Sequence, residues 1–211
     1  MKTKQGLLGF YNYTVILTYV GMLVAFGGIC CAINGNWFQA VICLMVAGLC
    51  DMFDGTIAAT RPRCAAEKRF GIQIDSLCDL ICFGVLPAML VGAVNDRSLI
   101  SELICGLYVL CALIRLAYFN VLEEERQEQT SERRKYYLGL PVTTIALLLP
   151  IVFWMDKLSL VPFSVSGLVL LCIVGIAFLL PIRIPKPRTV GQVLIVLLGA
   201  LEFGAMMVGG S

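Results

Sequence analysis

Long apolar stretches, separated by short polar or charged segments, make up most of this sequence. Most of these runs approach the ~20 residues that an α-helix needs to cross ~30 Å of hydrocarbon. The pattern therefore predicts an all-α fold, a polytopic membrane helical bundle with about seven transmembrane helices and a range of six to eight. The runs cover residues 13–33, 37–59, 71–94, 98–121, 139–155, 160–181 and 189–209.

The composition also indicates an integral membrane protein. Of the 211 residues, 59% are hydrophobic and 14% are charged, whereas an average soluble domain has ~25% charged residues. The first run is long and no small-residue cleavage site follows it, so we expect no signal peptide. All of the ten cysteines except Cys64 lie within apolar runs, and we interpret them as small packing residues. The absence of histidine excludes a histidine base, a Ser-His-Asp triad and histidine-ligated zinc.

Basic residues are concentrated in every second connection. The N-terminal tail and residues 60–70, 122–138 and 182–188 hold most of the 16 lysines and arginines, whereas the intervening turns hold only Arg97 and Lys157. The positive-inside rule then predicts a cytoplasmic N-terminus and an external C-terminus, which suits seven helices. Because no internal repeat or linker is visible, we expect one domain over residues 1–211, in the cell membrane.

Four aspartates stand where the second and third apolar runs meet the basic loop. Helical periodicity places each pair on one helix face, together with small residues. The two faces consist of Asp51, Asp54, Gly55 and Ala58 on the second run and of Gly71, Asp75 and Asp79 on the third. Hard divalent cations prefer oxygen ligands, and glycine lets a ligand approach the backbone. Since one carboxylate in a membrane costs ~2.5–3.5 kcal/mol on insertion scales, four together indicate a metal site.

Simpler interpretations remain for several charged residues. Asp51 and Asp54 can be solvated carboxylates at a membrane interface, and the basic loop 60–70 can be a topogenic charge cluster. Residues 123–135 fit a solvated helix or loop. Arg115 can extend to the membrane surface, as interfacial arginines do. Glu202, in the last run, fits a packing or dimer contact.

The acidic pattern resembles the signature of the CDP-alcohol phosphatidyltransferase family. It reads Asp51-x-x-Asp54-Gly55-x-x-Ala58, then Gly71-x-x-x-Asp75-x-x-x-Asp79. Within that family, residues 75–88 resemble the phosphatidylserine synthase branch, and so do two later motifs. These motifs contain Arg115, Phe119 and Asn120, and then Gly139, Leu140 and Pro141. The resemblance covers residues 51–141 and matches the remainder only loosely.

The chain departs from the family pattern in two ways. The family usually has an arginine directly after the alanine, where this chain has Ala59. The connection to Gly71 is also a few residues longer than usual. Arg61 or Arg63, both in the longer loop, can supply the missing charge.

The resemblance implies site roles for the acids and for their small neighbours. Two divalent ions, Mg²⁺ or Mn²⁺, would lie between the carboxylates and a pyrophosphate. Asp51, Asp54 and Asp75 are the implied metal ligands, and Asp79 helps to hold the second metal and is the candidate general base. The residues implied to bind the CDP-lipid are Gly55, Ala58, Gly71, Arg61 and Arg115.

The resemblance implies a membrane enzyme that makes phosphatidylserine from CDP-diacylglycerol and L-serine and releases CMP. We expect its active site to face the cytoplasm, and we expect a homodimer and no nucleic-acid partner. A sister transferase with glycerol phosphate or inositol phosphate as acceptor is the first alternative, although a phosphate-bearing acceptor needs more basic residues than serine does. A cation-coupled transporter that uses the intramembrane carboxylates is the second.

Overall fold

The protein is helical through nearly all of the part that the structure, a computed structural model, describes. That part comprises residues 9–58, 60–96, 98–129 and 136–185, with Gly199 and Gly204. The helices are α1 (Tyr13–Ile33), α2 (Trp37–Ala58), α3 (Ala65–Asp79), α4 (Leu86–Val94), α5 (Leu99–Gln129), α6 (Ile145–Lys157) and α7 (Phe163–Leu179). A π-helical segment, Leu80–Val85, joins α3 to α4, and a 3-10 turn, Val142–Thr144, precedes α6.

Within the described residues, four helical stretches are long and apolar enough to cross a membrane. They are Tyr13–Ile33, Trp37–Ala58, Ala65–Val94 and Leu99–Arg126, and Phe163–Leu179 is a shorter apolar helix. The prediction of a helical membrane bundle is therefore confirmed. The total of about seven helices stays a prediction, because Ala59, Glu202 and most of the last apolar run lie outside the described residues.

Two helices extend further than the hydrophobic pattern predicts. The helix α3 begins at Ala65 rather than at residue 71, because a capping box starts it early. The Cys64 N–H donates to Glu67 Oε2 at 2.9 Å, and the Glu67 N–H donates to Cys64 Sγ at 3.4 Å. The helix α5 continues beyond residue 121 to Gln129, and an Arg126–Glu123 ion pair at 2.5 Å supports its polar extension.

A small antiparallel ribbon adds to the helical fold. The strand β1 (Tyr136–Leu138) pairs with β2 (Arg183–Pro185), which places Tyr137 opposite Ile184. The Gly139 N–H then donates to the Ile182 carbonyl at 2.7 Å, with Gly139 at φ +79°. The ribbon therefore brings the strand that follows α5 beside the strand that follows α7.

Small residues allow α1 and α2 to pack closely along their length. A Cβ at Gly28 of α1 would lie 2.7 Å from Cys43 Cβ of α2 and 3.1 Å from the Leu86 side chain. Fully buried side chains, among them Leu44 and Phe83, form the hydrophobic core of the bundle. Because α1 lies so close to α2, its N-terminal half is held beside the aspartates.

We predict that Gly28→Ala lowers the melting temperature of the purified protein in detergent, whereas Gly27→Ala does not. The added methyl at residue 28 overlaps Cys43, and overpacking of this kind costs about 1–3 kcal/mol. A Cβ at Gly27 meets nothing within 4 Å, so alanine there brings only its higher helix propensity. Equal melting temperatures for the two variants would contradict the close α1–α2 contact.

Candidate active site

Three aspartates converge where α2 ends beside α3. One carboxylate oxygen each from Asp51, Asp54 and Asp75 can be chosen so that all three lie within 4.8 Å of one another. Ligand oxygens at ~2.0–2.6 Å from a divalent cation lie at most ~5 Å apart when they bind on opposite sides. The donor set and its dimensions therefore fit a hard divalent cation.

The fourth aspartate adjoins this group on its inner side. Asp79 lies one helical turn beyond Asp75, and its carboxyl group is within hydrogen-bonding contact of Asp51. The carboxyl groups of Asp54 and Asp75 are in contact in the same way. The two acidic helix faces therefore meet as two carboxyl pairs.

The negative charge of this cluster is not balanced by ion pairs with the described part of the chain. Asp54 is only 9% exposed, and the other three aspartates are half-buried. Among the described residues, the ion pair within 4.0 Å joins Arg126 to Glu123 and involves none of these aspartates. Carboxylates that are buried without a counterion are costly, so the arrangement calls for a bound cation.

The helix α1 contributes a site residue that the sequence reasoning missed. The buried Thr18 hydroxyl donates to Asp54 Oδ2 at 3.0 Å, and this hydrogen bond orients the carboxylate. Thr14, one turn earlier on α1, lines the same cavity. Two threonines spaced by four, at the N-terminal end of the first apolar run, were the available sequence signal.

A cavity of about 170 Å³ opens beside the carboxylates. Five of the seven motif residues line it, whereas Asp51 and Asp79 do not. The five are Asp54, Gly55, Ala58, Gly71 and Asp75. A Cβ at Gly55 would meet nothing within 4 Å, so this face of α2 is open to a ligand.

Arg63 and Lys68 are the cationic side chains among the described residues that line this cavity. Arg63 lies across Gly71, because a Cβ there would come within 3.1 Å of Arg63 Nη1. Arg61, which was expected at the lipid site, is exposed and does not line the cavity. Arg63, which directly precedes the Cys64 cap, lines it instead, and Ala59 lies outside the described residues.

Arg115 lies in another part of the bundle. Its side chain is 7% exposed, its Nε donates to the Leu140 carbonyl at 3.2 Å, and its guanidinium carbon lies 5.2 Å from the Phe119 ring centroid. Arg115 therefore does not extend to the surface. It joins the two later motifs to each other, since Leu140 follows Gly139, and its contact with an anionic substrate stays a prediction.

Polar and aromatic contacts hold the N-terminal end of α1 against the start of α3 and the loop before it. Asn12 donates to Glu67 at 3.4 Å, and the hydroxyls of Tyr13 and Thr60 are 3.1 Å apart. Phe10 contacts Phe70 edge to face, with centroids 5.3 Å apart. These contacts place the start of α1 over the cavity, so the cavity is built from three helices and one loop.

A further set of contacts joins α3 to the polar extension of α5. The Ser76 hydroxyl donates to Asn120 Oδ1 at 2.7 Å, and Asn120 Nδ2 donates to Gln73 at 3.5 Å. Ser76 follows Asp75 directly in the chain. The contact therefore braces the helix that carries two of the aspartates.

Comparison with known proteins gives one family and a consistent group of relatives. The sequence model of the CDP-alcohol phosphatidyltransferase family matches residues 11–180. The CDP-diacylglycerol–serine O-phosphatidyltransferase of Saccharomyces cerevisiae is 35% identical over 125 residues, which are 58% of this chain and 44% of that protein. The archaetidylserine synthase of Methanothermobacter thermautotrophicus is 32% identical over 148 residues, which are 70% of this chain and 60% of that protein.

The relatives differ in the fraction of their own length that this chain covers. The chain spans about half the length of these two proteins. The CDP-diacylglycerol–serine O-phosphatidyltransferase of Bacillus subtilis is covered over 90% of its length, at 26% identity over 171 residues, which are 77% of this chain. The matched region of the family includes the acidic helices, the cavity and the later motifs.

Proposed function

The chain belongs to the CDP-alcohol phosphatidyltransferase family, and we propose that it transfers a phosphatidyl group from CDP-diacylglycerol to L-serine. The products are phosphatidylserine and CMP. The observation that carries the proposal is the cavity, which two cationic side chains line together with carboxylates that form no ion pair within 4.0 Å with a described residue. Relatives named as serine transferases or as archaetidylserine synthase support serine as the acceptor.

We assign the carboxylates to two divalent ions, Mg²⁺ or Mn²⁺. Asp51, Asp54 and Asp75 would hold the first ion, since their oxygens lie within 4.8 Å of one another. Asp79, in contact with Asp51, would complete the second site. Ions bound there would neutralise the charge of the pyrophosphate and of the departing CMP. The Thr18 hydrogen bond keeps Asp54 aimed at the shared position.

The donor lipid would place its nucleotide and pyrophosphate in the cavity. Gly55, Ala58 and Gly71 leave the space, and Arg63 and Lys68 supply positive charge. Arg63 takes the role that the family pattern gives to an arginine directly after the alanine. Because Gly71 has no side chain, the Arg63 side chain has room to lie inside the cavity.

The chemical step would be a displacement at phosphorus. The serine hydroxyl oxygen forms a bond to the phosphorus of the phosphatidyl group, and the bond from that phosphorus to the CMP oxygen breaks. The hydroxyl proton passes to a carboxylate oxygen of Asp79. An aspartate is a weak base, so the alcohol must be held in place while attack proceeds.

The charges around the cavity favour serine over a phosphate-bearing acceptor. A pyrophosphate requires the positive charge of Arg63 and Lys68, and no third lysine or arginine lines the cavity within the described ranges. Glycerol phosphate or inositol phosphate would bring further negative charge to the same place. Serine carries a compensating ammonium group and needs no additional cation.

The orientation and assembly of the protein form part of the same proposal. The acidic helix ends would face the cytoplasm, because they adjoin the basic loop 60–70, and because the paired strands β1 and β2 stand next in sequence to the other basic connections. One membrane domain would carry the whole activity. The homodimer stays a prediction that the mass of the protein in detergent can test.

The direct test of the proposed function is CMP release from CDP-diacylglycerol by the purified protein. We expect release that depends on L-serine, with phosphatidylserine as the lipid product. Glycerol phosphate and inositol phosphate serve as the competing acceptors. Release that is supported by one of these acceptors and not by serine would contradict the acceptor assignment and leave the family chemistry in place.

We predict that Asp79→Asn retains CDP-diacylglycerol binding and loses transfer to serine by roughly 10²–10⁴-fold, the usual contribution of a positioned base. Asp51→Asn should lose both binding and transfer, because Asp51 belongs to the group that would hold metal against the pyrophosphate. Binding is measured with labelled CDP-diacylglycerol, and transfer is measured by CMP release. Equal losses of binding in the two variants would remove the base assignment.

We predict that Arg63→Ala raises the KM for CDP-diacylglycerol by about tenfold or more, because a charge-assisted hydrogen bond contributes ~1.5–3 kcal/mol. Arg69→Ala is the matched control, since Arg69 is exposed on the same segment and does not line the cavity. The variant Arg61→Ala tests whether Arg61 or Arg63 is the loop arginine that binds CDP-diacylglycerol. A raised KM in Arg61→Ala, with Arg63→Ala unchanged, would reverse the assignment.

A further inference from the structure

The helix that carries Asp79 changes its winding immediately after that residue. Residues Leu80–Val85 form a π-helix, and the Leu86 N–H donates to the Ile81 carbonyl, five residues earlier. The cause can be read from the sequence. Pro87 has no N–H, so the Phe83 carbonyl, four residues earlier, cannot accept the usual α-helical hydrogen bond. Wider π turns and donors from neighbouring helices are the usual compensation inside a membrane.

The donor for this carbonyl comes from α5. The Tyr108 hydroxyl donates to the Phe83 carbonyl oxygen at 2.7 Å. Tyr108 is 2% exposed and Phe83 is fully buried, so water does not reach the pair. The Tyr108 ring also packs against Phe178 of α7, with centroids 5.6 Å apart. The packing of the Tyr108 ring and the hydrogen bond of its hydroxyl group thus hold the Phe83 peptide of the π segment in place.

Phe83 lies four residues after Asp79, which is one turn further along the same helical stretch. A hydrogen bond that holds the Phe83 peptide in place therefore also holds the helical turn that carries Asp79. The helix α5 also approaches this turn closely, because a Cβ at Gly84 would lie 3.5 Å from Ala112 Cβ. In the proposed reaction Asp79 must both keep its contact with Asp51 and accept the serine proton, so a small shift of its backbone would impair transfer.

We propose that Tyr108 is a positioning residue for Asp79, acting through its hydrogen bond to the Phe83 carbonyl that Pro87 leaves without an α-helical donor. The expected effect on catalysis rests on the proposed function. The expected effect on the π segment rests on the hydrogen bond alone. Tyr108 touches neither substrate nor metal in this arrangement. Its loss affects the transfer step and spares the binding of the donor lipid.

The test uses Tyr108→Phe, which removes one hydroxyl group and keeps the ring. Tyr118→Phe is the matched control, because Tyr118 is on the same helix and is 54% exposed. We expect kcat for serine-dependent CMP release to fall roughly 10- to 100-fold in Tyr108→Phe, the scale of a small misplacement of a reacting group. The KM for CDP-diacylglycerol and the yield of folded protein should match those of Tyr118→Phe. Wild-type kcat in Tyr108→Phe would overturn the proposal.

A second substitution separates this hydrogen bond from other contacts of Tyr108. Pro87→Ala gives residue 87 an N–H that can donate to the Phe83 carbonyl. The loss of kcat caused by Tyr108→Phe should therefore be several-fold smaller in the Pro87→Ala background. An equal loss in both backgrounds would show that Tyr108 acts elsewhere, and the proposal would be wrong.

Amide hydrogen exchange gives a measurement that does not depend on activity. We expect residues 80–88 to exchange faster in Tyr108→Phe than in Tyr118→Phe, because the π segment loses its anchor. Unchanged exchange would overturn the anchoring, whatever the kinetics. If the wild-type protein releases no CMP with serine while exchange rises in Tyr108→Phe, the proposed function fails and the anchoring role stands.

Discussion

Four carboxylates within an apolar helical bundle, with no ion pair to any described residue, are the constraint on which the rest of the structure depends. One carboxylate in a membrane already costs ~2.5–3.5 kcal/mol on insertion scales, and mutual repulsion adds to that cost. The surrounding residues reduce the cost only in part. Thr18 donates a single hydrogen bond to Asp54, and Arg63 faces the cluster from across the cavity. A bound divalent cation is the element that makes the arrangement favourable, and a pyrophosphate is the ligand that such a cation and Arg63 would share.

Much of the acidic centre could be predicted because helical periodicity converts spacing into geometry. Asp51 and Asp54 lie three residues apart, and Asp75 and Asp79 lie four apart, so each pair had to share a helix face. A membrane leaves a long apolar run few alternatives to a helix, and this made the first four spans predictable as well. The connection between the two faces is short, which brought the faces together. The structure accordingly unites three of the aspartates in one potential metal site and places Asp79 beside them.

The features that were not predicted depend on contacts between distant parts of the chain or on local caps. Thr18 reaches Asp54 only because small residues let α1 approach α2, and a hydrophobic pattern does not report that proximity. The early start of α3 follows from a cysteine N-cap, which is an unusual choice of residue. Arg63, and not Arg61, lines the cavity, which the sequence pattern did not distinguish. The π segment after Asp79 was signalled by Pro87, but the donor that stabilises it, Tyr108, lies on another helix.

The central claim, that the aspartates hold divalent cations, is tested most directly by titrating the purified protein with Mn²⁺ and counting bound ions by electron paramagnetic resonance. The account predicts saturable binding in the wild-type protein, approaching two ions per chain when CDP-diacylglycerol is present. Asp75→Asn should lose this binding, because Asp75 contributes to the only acidic group within the described residues whose oxygens converge. Glu124→Gln, which removes a charge from the polar extension of α5, should bind as the wild type does. Equal Mn²⁺ binding in Asp75→Asn and in the wild type would contradict the account.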